Sequence, residues 1–367
     1  MILQTLSIRN FRNYESLSLT LDPRVNIIYG ENGQGKSNLL ESIYVLGLTK
    51  SHRSAMEGSL IQENKTSAKI KGTVIKDSIP KKLEIVLADN SKKYKVDENS
   101  IKKVSDYISN FNVIIFYPED LDIIKGSPSI RRKFMNTELS GLQSIYYTVL
   151  SDYNKLLKMR NEYLKEFYFD PNYFEVLTKY FMDKALLLYK MRTKFIERIN
   201  EYAKDIYASI MPDKQFKIVY KMEDMENTTE LTLDKIQICY EKVKTEEKIY
   251  KKTLFGPHRD DLEFYLDNQN MNAYASQGQQ RTAILAFKLA EIELYKKYIS
   301  DTPILLLDDV FSELDPLKRE NLIHYILGHI QTIITTTDLG NIKEELLKEA
   351  KLIQIQNGKV IKQEEVK

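Results

Sequence analysis

The sequence predicts an α/β fold interrupted by a large, mainly helical insertion. Three observations carry this. A short apolar run, Val25 to Tyr29, leads into a glycine-rich octet and then a helical pattern at Leu39, Leu40, Ile43 and Leu46. A second apolar run, Ile304 to Leu307, ends in two carboxylates, Asp308 and Asp309. Between them, from about 130 to 210, apolar residues recur at steps of 3 and 4, the period of helices. With 367 residues, and roughly 150 residues to a domain, two or three domains are expected.

Taken in order, Leu3, Leu6 and Ile8 begin one strand, and Leu17, Leu19 and Leu21 alternate with period 2 in the next. Pro23 breaks the chain before the run Val25 to Tyr29. Alternation returns at Lys69-Ile70-Lys71, at Leu83, Ile85 and Leu87, and at Lys93-Tyr94-Lys95-Val96, with a turn at Asn90-Ser91. This reads as an antiparallel meander. Asn112 to Tyr117 is a further apolar strand, stopped by Pro118. Leu139, Leu142, Tyr146, Val149, Tyr153 and Leu156 then mark one helix. Phe174 through Ile206 mark a second, before Pro212. Asp170-Pro171-Asn172 separates them, so two long helices with a short connection should form an antiparallel hairpin. At about 1.5 Å per residue the second spans about 50 Å. Its tyrosines suit packing better than base stacking. Phe216 to Met222 is a strand and 234–250 a charged helix. After 255, strand and helix alternate to a last hairpin turning at Asn357-Gly358. The expected division is an α/β lobe of 1–110 and 251–367, with a lysine-rich antiparallel sheet at about 65–103, and a helical lobe inserted at 111–250.

Composition narrows the class. Lys plus Arg is 54 and Asp plus Glu is 52, a formal balance of +2, which excludes a histone-like or strongly basic tail as the means of holding nucleic acid, although a local basic face is compatible. Hydrophobic residues at 43% and charged residues at 29% fit a globular chain. No stretch approaches the roughly 18 apolar residues of a membrane span. The first residues, with Arg9 and Arg12, alternate like a strand rather than a signal peptide. The one cysteine, Cys239, excludes an internal disulfide and a cysteine metal cage, and its neighbours suggest a buried thiol. The four histidines show no HExxH spacing. A cytoplasmic location, with no membrane partner, is expected.

The octet Gly30-Glu31-Asn32-Gly33-Gln34-Gly35-Lys36-Ser37 matches GxxxxGK[ST] between a strand and a helix. Glycines let backbone N–H groups curl round phosphates, and the helix N-terminus adds partial positive charge. Lys36 can reach the outer phosphates of a nucleotide, and the Ser37 hydroxyl can bind Mg²⁺. Asp308, at a strand end, fits the second Mg²⁺ partner of P-loop proteins. Asp309 is then a candidate base or water-positioner for attack on a γ-phosphate. A third motif, Ser276-Gln277-Gly278-Gln279-Gln280-Arg281, opens a long helix with the capping-box spacing Ser276/Gln279. Its glycine, amides and cation suit an anion. Together with Phe311-Ser312-Glu313-Leu314-Asp315, it resembles the signature motif and D-loop of ABC-type ATPases.

The resemblance narrows further. Gly256-Pro257-His258-Arg259-Asp260-Asp261, the 276–281 motif, Leu306 to Asp315 and Thr335-Thr336-Thr337-Asp338 look like the bacterial RecF family. So do Ile8 to Tyr14, Phe116-Tyr117-Pro118-Glu119-Asp120-Leu121, and Lys125-Gly126-Ser127-Pro128 with Arg131-Arg132. These motifs span residues 2 to 338, and the hairpin is too short for an SMC coiled-coil arm. The resemblance implies an ABC-type ATPase head with a P-loop lobe and an inserted helical lobe, binding ATP and Mg²⁺. It implies ATP contacts at Gly30 through Ser37, Asp308 and Asp309, and signature contacts at Ser276, Gly278 and Gln279. It further implies DNA binding at single-strand gaps and duplex junctions, an ATP-dependent homodimer, slow hydrolysis, and work with RecO and RecR to load RecA. Two positions depart from the wider ABC pattern. Asp309 stands where a glutamate is usual, and a threonine, around Thr336 or Thr337, replaces the switch histidine. Both favour slow turnover used as a switch. Glu119 or Asp120 stands near the Q-loop position. The rival is an ABC-type energy subunit of a membrane transporter, against which the lysine meander and the 256–261 motif argue.

A DNA face must be local. Residues 65–103 hold eleven lysines against five acids. Lys69 and Lys71 share a strand face, as do Lys93 and Lys95, and lysines without interleaved aromatics suit phosphate contacts. A solvated sheet with lysine-guarded edges is the alternative. Arg53, Arg131 and Arg132 are further candidates, whereas His258-Arg259 more naturally holds the Gly256-Pro257 turn.

Overall fold

The computed structural model describes residues 1–53, 57–88, 91–168, 170–223, 231–314, 316–327 and 330–365. Asn90 of the expected turn and Asp315 of the D-loop motif lie outside them. The chain opens with β1 (Ile2–Phe11), β2 (Tyr14–Thr20), β3 (Val25–Tyr29) and α1 (Lys36–Leu48). The meander is β4 (Ser67–Lys76), β5 (Ile79–Ala88), β6 (Ser91–Val96) and β7 (Asn99–Ile101), followed by α2 (Val104–Ile108) and β8 (Val113–Phe116). Then come α3 (Asp122–Lys125), α4 (Pro128–Leu142), α5 (Ser144–Tyr163), α6 (Pro171–Ile210), β9 (Phe216–Lys221) and α7 (Leu233–Tyr250). β10 (Asp261–Leu266), β11 (Gln269–Asn270), α8 (Met271–Tyr274), α9 (Gln277–Ile299), β12 (Ile304–Asp308) and α10 (Val310–Glu313) lead on. α11 (Pro316–Leu327), β13 (Thr332–Thr336), α12 (Glu344–Lys348), β14 (Ala350–Gln356) and β15 (Lys359–Glu365) close the chain.

Two compact units emerge, Met1–Asp120 with Ile284–Lys367, and Leu121–Ala283. These limits differ from 110/111 and 250/251 for reasons of pairing. β8 pairs in parallel with β12 and so stays in the first unit. Residues 251–283 include β10, which pairs with β9 in the second.

The first unit holds two six-stranded sheets. One runs β2-β1-β4-β5-β6-β7, antiparallel throughout. The other runs β15-β14-β3-β13-β12-β8, with five parallel strands and the antiparallel edge strand β15. The parallel strands β3, β12 and β13 are buried almost from end to end, although β13 carries three threonines, as strands covered on both faces are. α1 touches strands of both sheets, and nearly all its residues are buried. Close fits fix it: a Cβ on Gly47 would lie 2.8 Å from Val113 Cγ2, and one on Gly72 2.6 Å from Leu46 Cδ2.

The second unit is built on the α5–α6 hairpin. Tyr163 faces Phe174 and Tyr153 stacks on Phe181 at 4.9 Å, so the two helices run antiparallel. α6 extends over 40 residues, about 60 Å. Asp170 caps it, accepting from Asn172 N and Tyr173 N, and Pro171 takes the first turn, where its missing N–H costs nothing. Its tyrosines divide: Tyr189 and Tyr207 are buried, whereas Tyr173 and Tyr180 are exposed. The first helix of the hairpin is shorter than the apolar period suggests. Gln143 is extended (φ −140°, ψ 103°), so Leu139 and Leu142 belong to α4 and Tyr146 onward to α5. Side-chain period survives such a break and conceals it.

A charged interior holds this unit together. Arg160 and Glu247 are both fully buried and pair at 2.8 Å, with the guanidinium over the rings of Phe174 and Phe181. Arg192 donates to Pro257 O at 2.6 Å, to Tyr146 Oη and Asn136 Oδ1 at 3.0 Å, and lies 3.6 Å from Asp260. Cys239 is buried. No described helix is long and apolar enough to cross a membrane.

Candidate functional site

β3, β13 and β12 lie side by side in the parallel sheet, and their carboxyl ends meet at the glycine-rich loop. In open α/β sheets that edge is where ligands bind. Gly30 leaves β3 with φ 150°, and a Cβ there would sit 2.3 Å from Ile355 O of β14. Gly35 has φ 111°, and a Cβ there would meet Asn13 Nδ2 at 2.5 Å. Both positions therefore exclude other residues through backbone angle and space together.

Lys36, the first residue of α1, is buried, and its ammonium donates to Gly30 O and Glu31 O, each at 2.7 Å. Burial pushes its pKa down, and the charges of Asp309 and Asp308 oppose that shift. Ser37 Oγ donates to Asp308 Oδ1 at 2.8 Å. Thr335 Oγ1, from the intervening strand β13, donates to the same oxygen at 2.6 Å. A hydroxyl and a carboxylate beside a lysine-bearing loop form the donor set that Mg²⁺ takes together with nucleotide phosphates. Ser37 and Asp308 are the residues that fit it.

Asp309 turns out of β12 in the left-handed region at φ 52°, which aspartate tolerates. Its N–H donates to Thr335 Oγ1 at 3.1 Å and Thr335 O at 3.2 Å. Its carboxyl pKa is pushed up, first by burial and then by the charge of Asp308. Oδ1 is buried and finds no hydrogen-bond partner among the described residues. An acceptor so placed can take a proton or orient a water.

Gln34, Gly33, Asn32 and Glu31 form the outer part of the loop. Gln34 is pinned from outside: its carbonyl accepts from Asn13 Nδ2 at 3.2 Å and Gly358 N at 3.0 Å, and its Oε1 accepts from Asn357 N at 2.7 Å. Its side chain therefore buttresses the loop. Tyr14 Oη donates to Gly35 O at 2.9 Å. Arg12 forks onto buried Glu41 of α1 at 2.7 and 2.8 Å. Sequence patterns did not single out Thr335, Tyr14 or Asn357 as parts of this edge. Threonine on a strand, tyrosine in a hairpin and Asn-Gly in a turn are all ordinary.

The 276–281 motif lies in the second unit. Both capping-box bonds form: Gln279 N donates to Ser276 Oγ at 3.3 Å, and Ser276 N to Gln279 Oε1 at 2.8 Å. Ser276 and Gln277 are exposed and Gly278 is half-buried, so this end of α9 is open to solvent. Thr336 is buried, and its hydroxyl donates to Asp338 O at 2.9 Å, whereas Thr337 is exposed. Asp120 accepts from Tyr117 N at 3.0 Å, and Glu119 is exposed.

The expected DNA candidates separate. Lys69, Lys71, Lys93 and Lys95 all project from the outward face of the antiparallel sheet, and the register adds Arg9, opposite Lys69, to the same face. Arg53 is exposed beside α1, with Nη1 3.3 Å from Asn38 Oδ1. Arg131 and Arg132 are structural instead. Arg131 is buried and forks onto Asp261 at 2.7 and 2.8 Å, and Arg132 donates to Asp260 O at 2.7 Å. The 256–261 segment is likewise an interior hub. His258 Nδ1 meets Tyr153 Oη at 2.6 Å, and Asp260 accepts from Tyr220 Oη.

Comparison with known proteins covers nearly the whole chain. A family model described as the RecF/RecN/SMC N terminal domain matches residues 2–362. The chain is 40% identical to the DNA replication and repair protein RecF of Halalkalibacterium halodurans, over 99% of this chain and 100% of that protein. It is 42% identical to the RecF of Listeria monocytogenes over the same shares. Among solved structures, the recombination mediator protein RecF with ATP, in the RecFOR pathway, superposes with a TM-score of 0.91 at 30% identity, covering 99% of this chain and 97% of that one. An Smc head domain from Pyrococcus furiosus, at TM-score 0.54 and 16% identity, shares the fold.

Proposed function

The chain belongs to the RecF family of the RecF/RecN/SMC group, an ATPase family, and from that premise we propose that it is an ATP-gated DNA-binding protein of recombinational and gap repair. The observation that carries this is the meeting of Ser37 and Asp308 at 2.8 Å behind a complete phosphate-binding loop. Lys36 and the loop amides hold the phosphates, and Asp309 orients the attacking water. Mg²⁺, held by Ser37 and Asp308, would supply positive charge to the phosphate oxygens. Hydrolysis is slow, because Asp309 is one methylene shorter than the glutamate usual in ABC-type sites and a threonine stands in for the switch histidine. Turnover then serves as a switch.

The family likeness supports a homodimer formed on ATP, in which the Ser276-Gln277-Gly278 end of one copy meets the γ-phosphate held by Lys36 of the other. Such an interface is isologous, and ADP lacks the group that closes it. DNA phosphates lie on the outward lysine face, with Lys69, Lys71, Lys93 and Lys95 making contacts indifferent to sequence. RecO and RecR are the protein partners, and RecA loading at single-strand gaps is the outcome.

The experiment is binding to blunt duplex, single strand and gapped duplex with ATP, ADP and no nucleotide. Tight binding to DNA carrying a junction, with ATP alone, is expected. Equal binding in all three nucleotide states would overturn the gating.

A further inference from the structure

The outward face of the antiparallel sheet is basic, yet its centre is a carboxylate. Glu84 on β5 stands in register between Lys71 on β4 and Lys95 on β6. Its oxygens lie 2.9 Å from Lys71 Nζ and 3.8 Å from both Lys69 Nζ and Lys95 Nζ. The three ammonium groups reach out over it: Lys69, Lys71 and Lys95 are 43%, 53% and 44% exposed, whereas Glu84 is 14% exposed. At the outward positions of β4, β5 and β6, where Lys82 and Lys93 also stand, it is the one acid among the described residues. Neighbouring strands lie about 4.8 Å apart, so Lys71 and Lys95 flank it at a spacing of about 10 Å.

A carboxylate enclosed by three ammonium groups occupies the seat that a phosphate would take. We propose that Glu84 is a built-in counter-ion which a phosphate of bound nucleic acid must displace, so that it limits how tightly this face holds DNA. The proposal rests on the lysine face being the DNA surface. Burial alone would raise the Glu84 carboxyl pKa, but the Lys71 hydrogen bond and the charges of Lys69, Lys71 and Lys95 outweigh it and hold the group below its ordinary value. It is therefore ionised at neutral pH. It competes with an incoming phosphate in two ways. It already satisfies part of each lysine, and it repels a second anion well inside the roughly 8 Å screening length of physiological salt. A gap-repair protein gains from this, because loose non-specific binding leaves location to its partners and to ATP.

The test is Glu84→Gln, which keeps the shape and removes the charge, measured on labelled gapped duplex with saturating ATP over a series of salt concentrations. Affinity should rise on the order of fivefold, the upper range for one partly exposed charge pair. The log–log salt slope should steepen by up to about 0.9, one further phosphate contact. Nucleotide affinity should not change. A Lys69, Lys71, Lys95→Gln triple variant separates the two ideas. If the triple variant binds more weakly but Glu84→Gln binds no more tightly than the unaltered protein, the counter-ion role is wrong and the lysine face stands. If the triple variant binds like the unaltered protein, the lysine face itself is wrong, and Glu84 with it. Should the glutamine variant unfold at lower denaturant, Glu84→Thr, β-branched and suited to a strand, provides the same readout.

Discussion

Ser37 and Asp308 are 271 residues apart in the chain, and their side chains meet at 2.8 Å. What joins them is the strand order. β13 lies between the strand that feeds the loop and the strand that ends in the acid, and Thr335 on it reaches Asp308 Oδ1 at 2.6 Å. The insertion can lengthen the chain between the two halves without moving them, because both are fixed by neighbouring strands of one sheet.

Lys36→Met should abolish useful ATP binding. The methionine keeps the length of the side chain but loses charge-assisted hydrogen bonds worth about 1.5–3 kcal/mol each. Titration calorimetry checks it, and an unchanged nucleotide affinity would remove Lys36 from the site.

Asp309→Asn should leave ATP affinity within a few-fold and slow single-turnover hydrolysis by about 10²-fold or more, the contribution of a positioned base. The isosteric amide keeps the left-handed turn, since the backbone bonds to Thr335 are untouched. Hydrolysis at the unaltered rate would assign the water to another group.

His258 should make stability depend on pH. In the folded chain its Nδ1 accepts from Tyr153 Oη and its Nε2 donates toward Thr253 O, so the neutral ring uses both nitrogens. Burial pushes its pKa down from 6.5 to about 4, and Arg259, Arg132 and Lys252 add to the shift. The folded state thus resists a proton that the unfolded state takes up. The resulting stability is complete above pH 6.5 and is lost as pH falls toward about 4. Urea unfolding of His258→Gln should show a shallower decline across that window, and parallel curves would exclude the group.

Glu247→Gln should cost about 3–5 kcal/mol, because it leaves the Arg160 guanidinium charged and unpaired in the interior. Arg160 would still have Thr178, Thr253 and Tyr240, whose oxygens lie at 3.3–3.4 Å, but no anion. Denaturant unfolding measures the loss.

Much of this was legible in the sequence, and the limits have physical causes. The P-loop was readable because Gly30, Gly35, Lys36 and Ser37 each meet a separate demand at a fixed spacing. Asp308 was readable because an apolar run ends there. Thr335 was not, since a threonine in a buried strand has no distinguishing neighbour. Only the strand order brings its hydroxyl to the acid. Arg131 and Arg132 resembled a basic patch because a charge pattern does not tell whether an arginine faces water or, as Arg131 does, a carboxylate inside the fold. Glu84 could be counted among five acids of the meander, but only the register sets it amid three lysines.

The most direct measurement is sedimentation velocity of the unaltered chain and of Ser276→Arg, each with ATP, ADP and no nucleotide. Ser276 is exposed at the capped end of α9, so the longer side chain should leave the monomer folded while obstructing a shared γ-phosphate contact. The unaltered chain should sediment as a dimer with ATP alone, and the variant should bind ATP yet remain a monomer in all three conditions. A variant that dimerises with ATP like the unaltered chain would contradict the shared site.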